Sequence, residues 1–127
     1  MFRNVLLLEC GTIPENFIDP IVKFRPSHVI LIDAAILGCK PGHFKLISID
    51  DVVGTSISTH TLPLNVFAAY LKALTGAKIA LLAIQPKDRD FGEGLSSEVS
   101  KAVRFLTIIL IEILGNLEKE MRNEKRI

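Results

Sequence analysis

Ile79-Ala80-Leu81-Leu82-Ala83-Ile84, closed by Gln85-Pro86, is apolar at six consecutive positions. A strand with one wet face alternates apolar and polar residues, whereas a strand covered on both faces is apolar throughout. Two further runs, Val5-Leu6-Leu7-Leu8 and Val29-Ile30-Leu31-Ile32, share the uninterrupted pattern. Three strands of a parallel sheet with helices on both faces are therefore expected. Residues 44–49 form a fourth strand candidate, interrupted by Lys45 and Ser48 and preceded by the turn Lys40-Pro41-Gly42. Those interruptions place it at an edge, and a reversal at Pro41-Gly42 makes the sheet mixed.

Between the first two runs, Phe17, Ile21, Val22 and Phe24 recur at helical spacing. Asp19 is placed to cap this helix, Pro20 to occupy its first position, and Pro26 to follow its end. Leu64, Phe67, Ala68, Leu71 and Leu74 repeat at i, i+3, i+4 and i+7 behind Pro63, and Gly76 supplies the stop. A last helix is expected from a cap at Ser96 or Ser97, with Glu98 in its first turn and Arg122, Lys125 and Arg126 near its end, as the helix dipole favours. Its most apolar part, residues 105–114, carries Glu112 and falls short of the roughly 20 residues of a bilayer span, so it reads as a buried helix that Gly115 closes. Residues 118–127 then read as a solvated helical end or tail. The order strand, helix, strand, strand, helix, strand, helix predicts one α/β domain over residues 1–127, a three-layer α/β/α sandwich on a mixed, mostly parallel sheet.

Within the 127 residues, 15 Lys and Arg stand against 14 Asp and Glu, a net charge of +1 without a basic stripe, so nucleic acid is set aside as a partner. Cys10 and Cys39 form no CxxC, and no signal-peptide pattern opens the chain, which fits a reduced, cytoplasmic protein with no membrane insertion. No GxSxG, HExxH, P-loop or GxGxxG occurs, which removes the common hydrolase, zincin and nucleotide-binding signatures.

Ligands of open α/β sheets bind beyond the carboxyl ends of the parallel strands. The residues found there are Glu9, Asp33 and Gln85, while His60, in Ser58-Thr59-His60-Thr61-Leu62-Pro63-Leu64, precedes the helix that feeds the third run. A carboxylate with a neutral imidazole suits nickel, zinc, iron or manganese, and a helix start helps keep His60 neutral. Each has a plainer reading. An Asp that ends a buried strand is often a turn residue, and Asp50 and Asp51 read as turn caps. His28 and His43 flank strands at surface or edge positions, and Cys10 beside Gly11 reads as an inert thiol.

In order, Gly11-Thr12-Ile13-Pro14-Glu15-Asn16, Asp33-Ala34 followed by Gly38 and Pro41-Gly42, Ser58-Thr59-His60-Thr61-Leu62-Pro63-Leu64, and Ile84-Gln85-Pro86 with Gly94-Leu95-Ser96 resemble the hydrogenase maturation endopeptidases. Members of that family remove a C-terminal tail from the large-subunit precursor of [NiFe] hydrogenase after nickel insertion. The resemblance implies that Asp33 and His60 are two of the three metal-contacting residues, that the nickel is carried by the precursor rather than held tightly by this chain, and that the precursor is the partner. Gln85 and Phe91, in the charged loop 85–96 that also holds Lys87, Asp88, Arg89 and Asp90, are assigned to substrate binding.

The family's usual opening strand and helix, with a pattern like G-N-x-x-x-G-D-D-x-x-G supplying the third acidic contact, has no counterpart in this sequence. That strand belongs inside the sheet, so its neighbours are expected to keep unpaired backbone groups, with a homodimer or a rearrangement covering the gap. Glu9 is the reserve candidate for the third contact. The alternative function is a non-catalytic or truncated relative that binds precursor or nickel without cleaving.

Overall fold

The computed structural model describes residues 3–49, 63–87 and 95–125. The apolar run 79–84 lies at the middle of the sheet. β1 (His28–Ala34) pairs in parallel with β3 (Lys78–Ile84), and β2 (Phe44–Ser48) pairs with the other side of β3 in antiparallel, giving the order β1-β3-β2. Successive side chains of a strand point to opposite faces. Ile79, Leu81 and Ala83 enter one apolar cluster and Leu82 and Ile84 another, so both faces of β3 are covered and no polar residue breaks its run.

The first cluster is closed by α2 (Leu64–Thr75), whose Leu64, Phe67, Ala68 and Leu71 sit on one helical stripe against Ile79, Leu81 and Ala83. The short α1 (Ile18–Phe24) adds Ile18 and Ile21 at its margin. On the opposite face, α3 (Ser97–Lys125) sets Ala102 and Leu106 on Leu82 and Ile84, and the Phe105 ring meets Phe44 at 6.2 Å between centroids. These are the three layers and mixed sheet that the sequence predicts, with residues 44–48 at an edge.

Both helix boundaries of α2 follow from local chemistry. The Pro63 carbonyl accepts the N–H groups of Val66 and Phe67 at 3.0 and 3.1 Å, and Gly76, at φ 69°, returns its N–H to Lys72 O at 2.8 Å. At α3 it is Ser96 that caps, its hydroxyl accepting the Val99 N–H at 3.3 Å. The first helix begins earlier than expected: Pro14 opens a 3-10 turn, Pro14–Phe17, that runs directly into α1. Asp19 and Pro20 thus lie inside the first turn rather than at its cap, where the missing proline N–H costs nothing because the first four N–H groups have no helical acceptor.

Residues 5–8 do not form the expected strand. The segment 5–10 has no regular structure, and Leu7 is 80% exposed. A strand exists only as one side of a ladder, and among the described residues the outer edge of β1 carries none. Residues 3–4 instead lie against the far end of α3, where the Arg3 N–H donates to the Glu118 carboxylate and Asn4 Nδ2 to Met121 Sδ. Glu118, expected in the solvated end, is consequently buried.

The apolar part of α3 is likewise not buried as expected: Phe105, Ile108, Ile111 and Ile113 are all exposed by about half or more, and the helix continues through Gly115 to Lys125. The reason is length. A helix of 29 residues runs about 43 Å, whereas a strand of 7 residues runs about 23 Å, so much of α3 overhangs the sheet. No helix among the described residues is long and apolar enough to cross a membrane.

Candidate functional site

The two-residue connection Gly76-Ala77 turns α2 directly into β3. α2 therefore runs back along β3, and its first turn lies level with the carboxyl end of that strand. Asp33 stands at the same end, in register with Ala83. It also shares strand parity with Val29 and Leu31, which pack on the α2 side of the sheet. One face and one end of the sheet thus bring together Asp33, the start of α2 and the end of β3. The half-buried Asp33 carboxylate accepts the Ala34 N–H at 2.8 Å through Oδ1, which fixes the side chain against its own strand end.

Just beyond β3, Gln85 is 8% exposed and joins both neighbouring segments. Its backbone N–H donates to His43 O at 2.8 Å and its carbonyl accepts the Gly42 N–H at 2.9 Å. Its side-chain oxygen accepts the Leu37 N–H at 2.6 Å, and Nε2 donates to Pro86 O at 3.1 Å. Gly42 is held hard against α3: at φ 87°, a Cβ on it would come within 2.7 Å of Glu98 O. Glu98 in turn faces Lys87 Nζ at 3.6 Å, and its carboxyl is held below the ordinary value by its own backbone N–H first, with Lys87, Ser96 and Ser97 adding to the effect against a smaller desolvation.

Of the residues chosen from sequence, the structure brings Asp33 and Gln85 to one end of the sheet. Glu9 is exposed, in the irregular segment before Gly11. His60, Phe91, Asp50 and Asp51 lie outside the described residues. Among the described residues there is no group of three His, Cys, Asp or Glu side chains able to hold a metal. Cys10 and Cys39 are free thiols, and burial pushes the Cys10 thiol up from its ordinary value, away from the reactive thiolate. His28 Nδ1 is engaged with Ser27 Oγ at 2.9 Å at the opposite end of β1 from Asp33.

Sequence reasoning missed the internal employment of the Gln85 amide and the burial of Glu118. The first had a signal, a lone glutamine directly after a fully buried strand. The second had none, since Glu118 sits in a charged run and owes its burial to residues more than a hundred positions away.

Asp33, at the carboxyl end of a parallel strand and level with a helix start, occupies the position where α/β hydrolytic and ligand-binding sites are built. A profile of hydrogenase maturation proteases, the HycI group, matches residues 1–113. The chain belongs to the hydrogenase maturation protease family, a family of peptidases. A Methanocaldococcus jannaschii protein provisionally named as such a protease is 39% identical over 116 residues, spanning 91% of this chain and 68% of its own. The hydrogenase 3 maturation protease of Escherichia coli is 32% identical over 101 residues, 79% of this chain and 64% of its own. This chain thus spans about two thirds of the length of these curated relatives. The crystal structure of the [NiFe] hydrogenase maturation protease HycI from Thermococcus kodakarensis superposes with a TM-score of 0.82 at 33% identity, covering 91% of this chain and 74% of that one.

Proposed function

We propose that this chain is an endopeptidase that removes the C-terminal tail of a [NiFe] hydrogenase large-subunit precursor after nickel insertion, acting in the cytoplasm. The nickel belongs to the precursor. Asp33 and His60 contact it, and Glu9 is the candidate for a third contact. The observation that carries this reading is the place of Asp33, at the carboxyl end of β1 and on the face where α2 begins. Only Thr61 and Leu62 separate His60 from Pro63, and the three Cα-to-Cα steps reach about 11 Å at most. A carboxylate oxygen and an imidazole nitrogen are a donor pair suited to nickel, and two protein donors leave the remaining positions to the precursor.

The test is incubation with nickel-loaded and nickel-free precursor, reading the precursor's C-terminus by mass spectrometry. Tail release only with nickel is expected. Asp33→Asn is expected to lower release at least about 100-fold, beyond the effect of losing an outer partner of a metal ligand. Full release by Asp33→Asn, or equal release without nickel, refutes the assignment.

A second reading is favoured by Glu9, which lies exposed in an irregular segment rather than at the end of a strand where a third contact is expected. Here the chain binds precursor or nickel without cleaving, and co-purification with intact precursor in the absence of tail release identifies it. Phe91 is assigned to precursor docking in either reading. The half-exposed Ile30 and Ile32 of β1 mark the face on which a homodimer would form.

A further inference from the structure

The parallel pairing of β1 with β3 extends one bond past the strands, from Ala35 N–H to Ile84 O at 3.0 Å. Two residues later the β1 segment has left the backbone of β3, and the Gln85 side chain takes over, its oxygen holding the Leu37 N–H at 2.6 Å. Its own backbone simultaneously continues the antiparallel ladder toward β2, through His43 O and the Gly42 N–H. One residue therefore ties together the two segments that flank the end of β3. With the amide buried and its oxygen and nitrogen both bonded within the chain, this side chain is committed to the fold rather than offered to a ligand.

We infer that Gln85 is a positioning residue: by holding Leu37 it sets the direction in which the chain leaves β1, and with it the approach of the Asp33 carboxylate, an inference that rests on the reading of Asp33 as a nickel contact. Ala35 and Leu37 are anchored on Ile84 and Gln85, so the chain is held on the far side of Asp33 as well as by the ladder on the near side. A carboxylate that must meet a metal held by another protein has to arrive with its direction already set, because a misplacement of about 1 Å costs on the order of 100-fold.

Two variants of the full chain test this. Gln85→Leu keeps the bulk and removes both hydrogen bonds. Gln85→Glu keeps the acceptor for Leu37 but sets a carboxylate oxygen against Pro86 O, a conflict relieved when the acid is protonated and can donate. The expected results are amide exchange at Leu37 about tenfold faster with Ala35 unchanged, a shifted Ala34 amide resonance, and kcat for tail release lowered about 10–100-fold at unchanged KM. Gln85→Glu should regain activity as pH falls, a limb absent from the parent chain. Where Gln85→Leu does not fold, Gln85→Glu carries the test alone through that pH profile and the Ala34 resonance. Unchanged Leu37 exchange in Gln85→Leu overturns the clamp, and a raised KM at constant kcat overturns positioning in favour of substrate contact. If the parent chain releases no tail with nickel-loaded precursor, the peptidase reading fails by itself. The Leu37 and Ala34 amides then decide the positioning role without it, unchanged amides overturning it.

Discussion

Replacing Gly42 with alanine should destabilise the fold through two separable effects. At φ 87° a non-glycine residue bears the left-handed backbone penalty of about 1–2 kcal/mol. Its new Cβ would also stand 2.7 Å from Glu98 O and 3.1 Å from Glu98 C, atoms of the α3 backbone that cannot rotate away. Relieving that contact means moving the turn or the start of α3, an overpacking cost of about 1–3 kcal/mol. The total is about 2–5 kcal/mol. Gly38 is the internal control, because it has φ 69° but nothing within 4 Å of its ideal Cβ. Gly38→Ala should therefore cost only the backbone part, about 1–2 kcal/mol. Urea unfolding followed by circular dichroism separates the two: with a slope of about 1–3 kcal/mol per molar, Gly42→Ala should unfold at a midpoint lower than Gly38→Ala by about 1 M. Equal midpoints would refute the packing of Gly42 on α3. Because the Gly42 N–H is bound to Gln85 O, the displacement also reaches the end of β3.

Phe67, 1% exposed in the main cluster, should cost about 3–5 kcal/mol on truncation to alanine and lower Tm by about 10–20 °C in a thermal scan. The Glu118 carboxyl is held below its ordinary value, first by the Arg3 N–H and then by the Asn4 N–H and Arg122, against desolvation. A depressed folded value means that its stabilisation is present above the ordinary carboxylate range and is lost as pH falls through the folded value. Glu118→Gln should abolish that acid-side loss, measured as the pH dependence of amide exchange at Arg3 and Asn4, and an unchanged dependence would refute it.

The parts of the fold legible in the sequence are those whose burial is decided locally. From its second position onward β3 is apolar throughout because it lies between two strands and two helical layers, and α2 declares its face at Leu64, Phe67, Ala68 and Leu71 and its end at Gly76. The strand expected at residues 5–8 failed because four apolar residues do not state whether a partner is beside them. The burial expected along α3 failed for a related reason, since periodicity gives the face of a helix but not the length of the surface beneath it. At the site, Asp33 was legible because strand ends in parallel sheets are predictable places. The employment of Gln85 was not, since its acceptor serves Leu37, 48 positions earlier.

β1 carries the same uninterrupted apolar run as β3 but receives only half its cover. Val29 and Leu31 pack into the main cluster, while Ile30 is 48% and Ile32 57% exposed. Runs of this kind belong to strands covered on both faces and paired on both edges, so the sequence of β1 is written for more neighbours than the described residues give it. The same holds for Leu7 and for the overhanging Ile108 of α3. The carboxyl end of the sheet does not share this deficit. Asp33 is bound to Ala34, Ala35 to Ile84, Leu37 and Gly42 to Gln85, and Gly42 abuts Glu98, so the end that carries the candidate contact is braced from both flanks. Those braces are hydrogen bonds and one close contact made by the segments around Asp33 itself, so its geometry is held locally, at the end of the sheet.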